Sequence, residues 1–197
     1  LYDNQLPAWI KNYLKDRKIK ADDHAVEMLA EYLGNDLSKI NNEVGKMLIN
    51  LKDKSVITPN DIREHIGVSK DYNVFELQNA LAERNVLKAN RIVNYFEANP
   101  KNNPIQLIIG SLFAYFNKIL IYHFTVDKSA ASLASALGIS PFFVKDYEQA
   151  ARNYPVKKLE KIIGWLREYD LKSKGVGSTD QVPTGDLLRE MVFKIIH

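Results

Sequence analysis

The 197-residue chain is 46% hydrophobic with a net charge of +3, enough to bury a substantial core and unlike a disordered or collagen-like sequence. Cysteine is absent, which excludes disulfides and thiolate metal sites and fits a reducing, cytoplasmic compartment. Charge is mildly uneven, with 11 Lys/Arg against 12 Asp/Glu up to Val74 and 16 against 12 from Phe75 onward, short of the concentrated basic face of a dedicated nucleic-acid binder.

The opening residues, Leu1 to Pro7, read as neither a signal peptide nor a natural beginning, so a fragment of a longer protein is expected. Leu6 to Arg17 predicts a helix, with Trp9, Ile10, Tyr13 and Leu14 at helical spacing. Asp22 and Asp23 stand where an N-cap belongs, ahead of a second helix that Gly34 stops. Asp36 opens a third helix through Leu51, and Thr58-Pro59-Asn60-Asp61 starts a fourth that ends near Gly67. Val68 to Asn73 is a short polar connection and the natural boundary between two domains, residues 1–70 and 71–197.

Beyond it, Phe75 to Arg84 and Val86 to Ala98 predict an antiparallel helix pair. Pro104 starts a long helix to Phe124, apolar on more than one side; Gln106, Ser111, Asn117 and Lys118 interrupt it, so it reads as the central helix of a bundle and no membrane contact is expected. Ser129 caps a short helix through Leu137. A sharp corner, Gly138-Ile139-Ser140-Pro141, then leads into the next helix, and Pro155 begins another in which Leu159, Ile162, Ile163, Leu166 and Tyr169 recur. Val176 to Pro183 is a Gly/Ser/Thr loop, followed by a last helix from Thr184 to Ile196. No run of period two occurs, so the expected fold is all-α.

Chemistry-bearing motifs are missing. There is no Gly-x4-Gly-Lys-Ser/Thr loop, and Gly175-Val176-Gly177 lacks the third glycine and preceding strand of a dinucleotide site. His24, His65, His123 and His197 have no ligand-like spacing, and no nucleophile elbow or His-Glu-x-x-His helix is present. No catalytic, cofactor-binding or metal-binding residue is therefore assigned, and no cofactor is expected.

Two stretches carry binding hypotheses. The corner after Ala134-Ser135-Ala136-Leu137 has the character of a helix-turn-helix, whose second helix would lie in the major groove. That helix begins Pro141-Phe142-Phe143-Val144, better suited to burial than to base reading, and offers Lys145, Gln149 and Arg152 only later. Lys157, Lys158, Lys161, Lys172 and Lys174 form a basic set whose contact with a polyanion would be to backbone, salt-sensitive and without base specificity.

Several pieces resemble a family. Gly34-Asn35-Asp36-Leu37, Asn42-Glu43-x-x-Lys46, Ile57-Thr58-Pro59-Asn60-Asp61-Ile62 and Val74-Phe75-Glu76-Leu77-x-x-Ala80-Leu81, with Leu137-Gly138-Ile139-x-Pro141-Phe142-x-Val144-Lys145 and Asp170-x-x-x-Lys174, together resemble the delta subunit of bacterial DNA polymerase III, the clamp-loader wrench. The resemblance implies a small helical AAA+ lid-type bundle over 1–70 followed by a larger helical collar domain over 71–197. It implies a non-catalytic subunit, without polymerase or ATPase site, that joins gamma/tau and delta prime type subunits through its collar. The sliding clamp would be met through a preceding amino-terminal domain that has no counterpart here, and primed DNA would be met in the assembled loader. A collar needs apolar surface; Phe113, Phe116 and Tyr122 on the long helix and Trp165 and Tyr169 later are the candidates for it. The alternative, from the corner alone, is a helix-turn-helix DNA-binding regulator.

Overall fold

The computed structural model describes residues 5–33, 37–51, 56–65, 72–176 and 183–197, with the side chains of 31 and 63 left aside. The chain divides into two compact units, Leu1–Lys70 and Asp71–His197.

The first unit is built from α1 (Leu6–Asp16), α2 (Asp23–Leu33), α3 (Leu37–Asn50) and α4 (Pro59–His65). Leu6, Ile10 and Leu14 form one buried stripe of α1 at intervals of four, and pack with Val26 and Leu29, Ile40, Val44 and Met47, and Ile62. Trp9 and Tyr13 sit beside that stripe, half-buried rather than in the core. Gly34 and Asp36, read above as a stop and a cap, lie outside the described residues.

The expectation of an all-α chain needs one correction. Residues β1 (Lys20–Ala21) and β2 (Val56–Ile57) pair in parallel, Lys20 with Val56 and Ala21 with Ile57. Two residues per strand give too short a run for a period-two signal, and the bridge is fixed by tertiary packing: Ile57 is buried, and its carbonyl accepts from Asp22 N at 2.9 Å.

The start of α4 is closed by a reciprocal cap. Thr58 N and Thr58 Oγ1 each donate to Asp61 Oδ2 at 2.7 Å, and Asp61 N reaches back to Thr58 Oγ1 at 3.4 Å. Asp61 is the buried charged residue of the described core, so the cap is shielded from water. Asp61→Ala is expected to lower stability by about 1–3 kcal/mol, because it strands a half-buried amide and hydroxyl; a urea melt that moves by less than the experimental error contradicts this.

Helix ends show a second feature. Among the described residues, four helices close with paired backbone bonds in the Schellman pattern: Ile19 N to Leu14 O, Asn85 N to Ala80 O, Ile139 N to Ala134 O and Val176 N to Leu171 O. Glycines 138 and 175 supply the positive φ at two of them, but Lys18 (φ 59) and Arg84 (φ 54) supply it at the others. A side chain in that conformation costs about 1 kcal/mol relative to glycine. Lys18→Gly is therefore expected to raise the midpoint of thermal unfolding by a few degrees, and a lower midpoint would contradict the strain argument.

The second unit holds α5 (Val74–Ala82), α6 (Val86–Ala98), α7 (Ile105–Phe124), α8 (Ala130–Leu137), α9 (Val144–Asn153), α10 (Val156–Ser173) and α11 (Thr184–Ile196). Asn73 caps α5, accepting from Phe75 N and Glu76 N at 3.0 Å, and Ser129 caps α8. Helix α7 lies against α10, α9, α8 and α5, while α11 lies against α6 and α10. Gly185 lets α11 approach α6 closely, since a Cβ there would stand 2.5 Å from Glu97 Cγ. By length and composition α7 could cross a membrane, but Ile108, Leu112, Phe116 and Ile119 are buried in the core of this unit. Residues 177–182 of the Gly/Ser/Thr loop, and 68–71 of the predicted boundary, lie outside the described residues.

Candidate subunit interface

Helix α7 has two apolar faces, and only one is covered. At 100° per residue, the buried Ile105, Ile108, Ile109, Leu112, Tyr115, Phe116 and Ile119 occupy one arc of about 120°. Leu107, Gly110, Phe113, Ala114, Asn117, Ile121 and Phe124 occupy the opposite arc. None of these is charged. Leu107 is 70% exposed, Phe113 45% and Phe124 69%, and the nearby Val126 is almost fully bare. Ordinary soluble surfaces scatter single apolar residues; a contiguous uncharged stripe along five turns is the composition of a protein contact.

The structure redistributes the five aromatic candidates. Phe113 stands on the uncovered face. Phe116 and Tyr169 are fully buried and have no surface to offer a neighbour. Phe116 meets the Tyr154 ring edge-on at 5.2 Å, and the Tyr169 ring has the ammonium groups of Lys172 and Lys194 at 5.0 and 5.1 Å. Tyr122 and Trp165 are half-buried and pack against the cores of this unit, Tyr122 with Leu133, Ala134 and Val144. The physical reason is position and not ring size: Phe116 lies on the arc of α7 that faces the core and Tyr169 on the buried stripe of α10 with Leu159, Ile162 and Leu166, whereas Phe113 and Phe124 lie on the opposite arc of α7. Sequence reasoning missed Leu107, Ile121 and Phe124. Their signal is positional: they recur with Phe113 on the arc of α7 opposite the one shared by Ile105, Leu112 and Phe116.

The corner after α8 turns as predicted, on Gly138 at φ 61. Its tip differs from expectation. Pro141–Phe143 form a 3₁₀ turn before α9, and Phe142 is 51% exposed where burial was expected, while Phe143 packs against the core. The surface of α9 mixes signs, with Asp146 in its first turn and Arg152 Nη2 donating to Glu148 Oε1 at 2.6 Å. A groove-reading helix needs unpaired donors along one side, and this helix lacks that pattern.

The five lysines do not form one patch. All lie in or just after α10, but Lys158 and Lys172 are 14 residues apart, about 21 Å along the helix. Lys172 pairs with Glu168 and Lys174 with Asp170, each at 2.6 Å across one helical turn, which neutralises that end. At the other end Lys157 and Lys161 are exposed. Burial, and then the nearby Arg84 guanidinium, hold the Lys158 ammonium below its ordinary pKa. Among the described residues no three of His, Cys, Asp and Glu gather as metal ligands.

These features define, as a class, a mostly helical two-unit chain with an uncovered and uncharged helix face. The family model described as the DNA polymerase III delta subunit, C-terminal domain, matches residues 71–188. The chain therefore belongs to the DNA polymerase III delta subunit family, clamp-loader proteins of DNA replication. It is 26% identical over 165 residues to the DNA polymerase III subunit delta of Bacillus subtilis (strain 168), covering 83% of this chain and 47% of that protein. The solved structure of the Bacillus subtilis DNA clamp loader delta protein aligns with 100% of this chain and 57% of its own, at a TM-score of 0.65 and 24% identity, a likeness of fold. The chain thus spans about half the length of the curated relative it matches.

Proposed function

We propose that this chain is the assembly module of a clamp-loader delta subunit, with residues 1–70 as the AAA+ lid-type bundle and 71–197 as the collar that holds loader subunits together. The observation that carries the reading is the uncovered, uncharged face of α7, where Phe113 is joined by Leu107, Ile121 and Phe124. Its occupants are loader subunits of the gamma/tau and delta prime type. The module performs no chemistry; the complete protein, through a domain preceding the lid, engages the sliding clamp and helps open it for loading on primed DNA in the cytoplasm. Contact with DNA backbone falls to Lys157, Lys158, Lys161, Lys172 and Lys174, the last two exchanging their exposed same-helix partners Glu168 and Asp170 for phosphate.

Mixing the chain with the ATPase and delta prime type subunits and measuring mass by light scattering tests the reading. A single species containing this chain is expected, and a folded chain that elutes alone removes the collar assignment. The rival, a helix-turn-helix regulator, needs a cation-bearing α9, and the paired, mixed-sign surface of that helix speaks against it.

A further inference from the structure

The first unit carries a groove that the assembly reading does not use. It is a shallow, largely open depression of about 690 Å³ beside α1 and α3. An open trough of that size seats a base and its neighbouring phosphates along the surface without enclosing them.

Tyr13 and Arg17 form its wall on the α1 side, and Trp9, outside the lining, continues them into a ladder of planar groups. Trp9, Tyr13 and Arg17 stand at intervals of four, so they stack along one side of the helix. The Trp9 and Tyr13 rings are 5.1 Å apart and within 21° of parallel, and the Arg17 guanidinium lies 3.7 Å from the Tyr13 centroid. Asn41 on α3 fixes the ladder: its Oδ1 accepts from Tyr13 Oη at 2.6 Å and from Arg17 Nη2 at 3.3 Å. Arg17 itself is exposed, so one face of its plane is spent on Tyr13 and the other is presented outward.

The opposite wall supplies short polar groups, Ser38 and Asn42, and the cations Lys39 and Lys46. Lys46 is held at 2.9 Å by Glu43, the carboxylate of the described lining. The neighbouring chain reinforces the sign of the field. Between residues 11 and 20 there are Lys11, Lys15, Arg17, Lys18 and Lys20 against the lone Asp16, and of these Lys11 is engaged by Asp23 at 2.8 Å.

We propose that this groove binds a short single-stranded nucleic-acid segment, one base lying on the outer face of Arg17 and the adjoining phosphates meeting Lys39 and Lys46. A pinned guanidinium plane over an aromatic pair is a stacking platform that any base can use, and rim cations follow the backbone. An acidic peptide would use the same cations but has no planar group for the platform, and a duplex keeps its bases inside the stack. The inference stands apart from the assembly reading, because the binding needs no loader subunit.

The test is an anisotropy titration of the whole chain against a fluorescein-labelled twelve-residue oligothymidylate, with a hairpin duplex and a polyglutamate peptide as competitors. The single strand is expected to bind at least threefold tighter than either competitor. Arg17→Ala and Arg17→Lys are each expected to weaken it threefold or more, since lysine keeps the charge and loses the plane. Both variants alter an exposed side chain, and unchanged circular dichroism melts verify folding; Lys39→Ala with Lys46→Ala provides a second route to the same loss. A single strand no better than polyglutamate or duplex, or an Arg17→Lys variant within threefold of the parent, overturns the proposal.

Discussion

Replacing Phe113 and Phe124 together with aspartate is expected to abolish co-elution with other loader subunits while leaving the second unit folded. Phe124 is 69% exposed and Phe113 45%, so their loss from the monomer should cost about 1–2 kcal/mol, less than a domain's total stability. In a docked face the same change buries two carboxylates without partners, each costing several kcal/mol. Interface rings of this kind commonly contribute about 2 kcal/mol or more apiece. The two effects together predict at least a hundredfold weaker association. Light scattering on the mixture, with the thermal melt of the variant as control, checks both halves.

The second large effect is expected inside the bundle. Tyr154 joins α9 to α10, is fully buried, and its Oη donates to the Leu81 carbonyl at 2.7 Å. Beside it Asn153 Nδ2 donates to the Ala82 carbonyl at 2.7 Å. Leu81 and Ala82 are the last residues of α5, so these two side chains tie down the helix end, Tyr154 adding a second donor to the Leu81 carbonyl that already accepts from Arg84 N at 2.9 Å. The Tyr154 carbonyl in turn lies 2.9 Å from His123 Nε2 on α7. Burial pushes the phenol pKa up, so the hydroxyl remains a donor across the physiological range. Tyr154→Ala is expected to destabilise the chain by about 3–5 kcal/mol, a large share of a domain's total, and to lower Tm by roughly 10 °C or more. Tyr154→Phe keeps the ring against Phe116 and should cost about 1 kcal/mol. Equal losses in the two variants would contradict the division between packing and capping.

Local punctuation was the most legible part of the fold. Thr58-Pro59-Asn60-Asp61 announces a capped helix, and the structure adds the reciprocal bonds between Thr58 and Asp61. Gly138 announces a left-handed stop and provides one. Lys18 and Arg84 occupy the same conformation without the residue type that signals it; at Arg84 a tertiary bond accompanies it, Nη2 donating to the Ile196 carbonyl at 3.0 Å. The β1–β2 bridge was illegible because two residues carry no period.

The surface was harder to read than the core. Ring size singled out Phe116 and Tyr169, but a large ring is as much a core signal as an interface signal. On α7 both arcs are free of charge, Lys118 lying between them, so only packing in the structure separates the outer Leu107, Phe113, Ile121 and Phe124 from the buried Phe116. The pairing of Lys172 and Lys174 was legible in the sequence, since Glu168 and Asp170 stand four residues before them. Averaging charge over the whole first half hid the opposite case, the basic run from Lys11 to Lys20 that borders the α1–α3 groove.

The claim that the outer face of α7 is the contact with other loader subunits is tested most directly by photocrosslinking from that face. A benzophenone amino acid placed at Phe113, in the chain mixed with its ATPase and delta prime type partners, should give one crosslinked band of defined subunit composition. The same group at the exposed Arg91 on α6 should give none. Crosslinks from Arg91 with none from Phe113, in a complex that has demonstrably formed, would contradict the account.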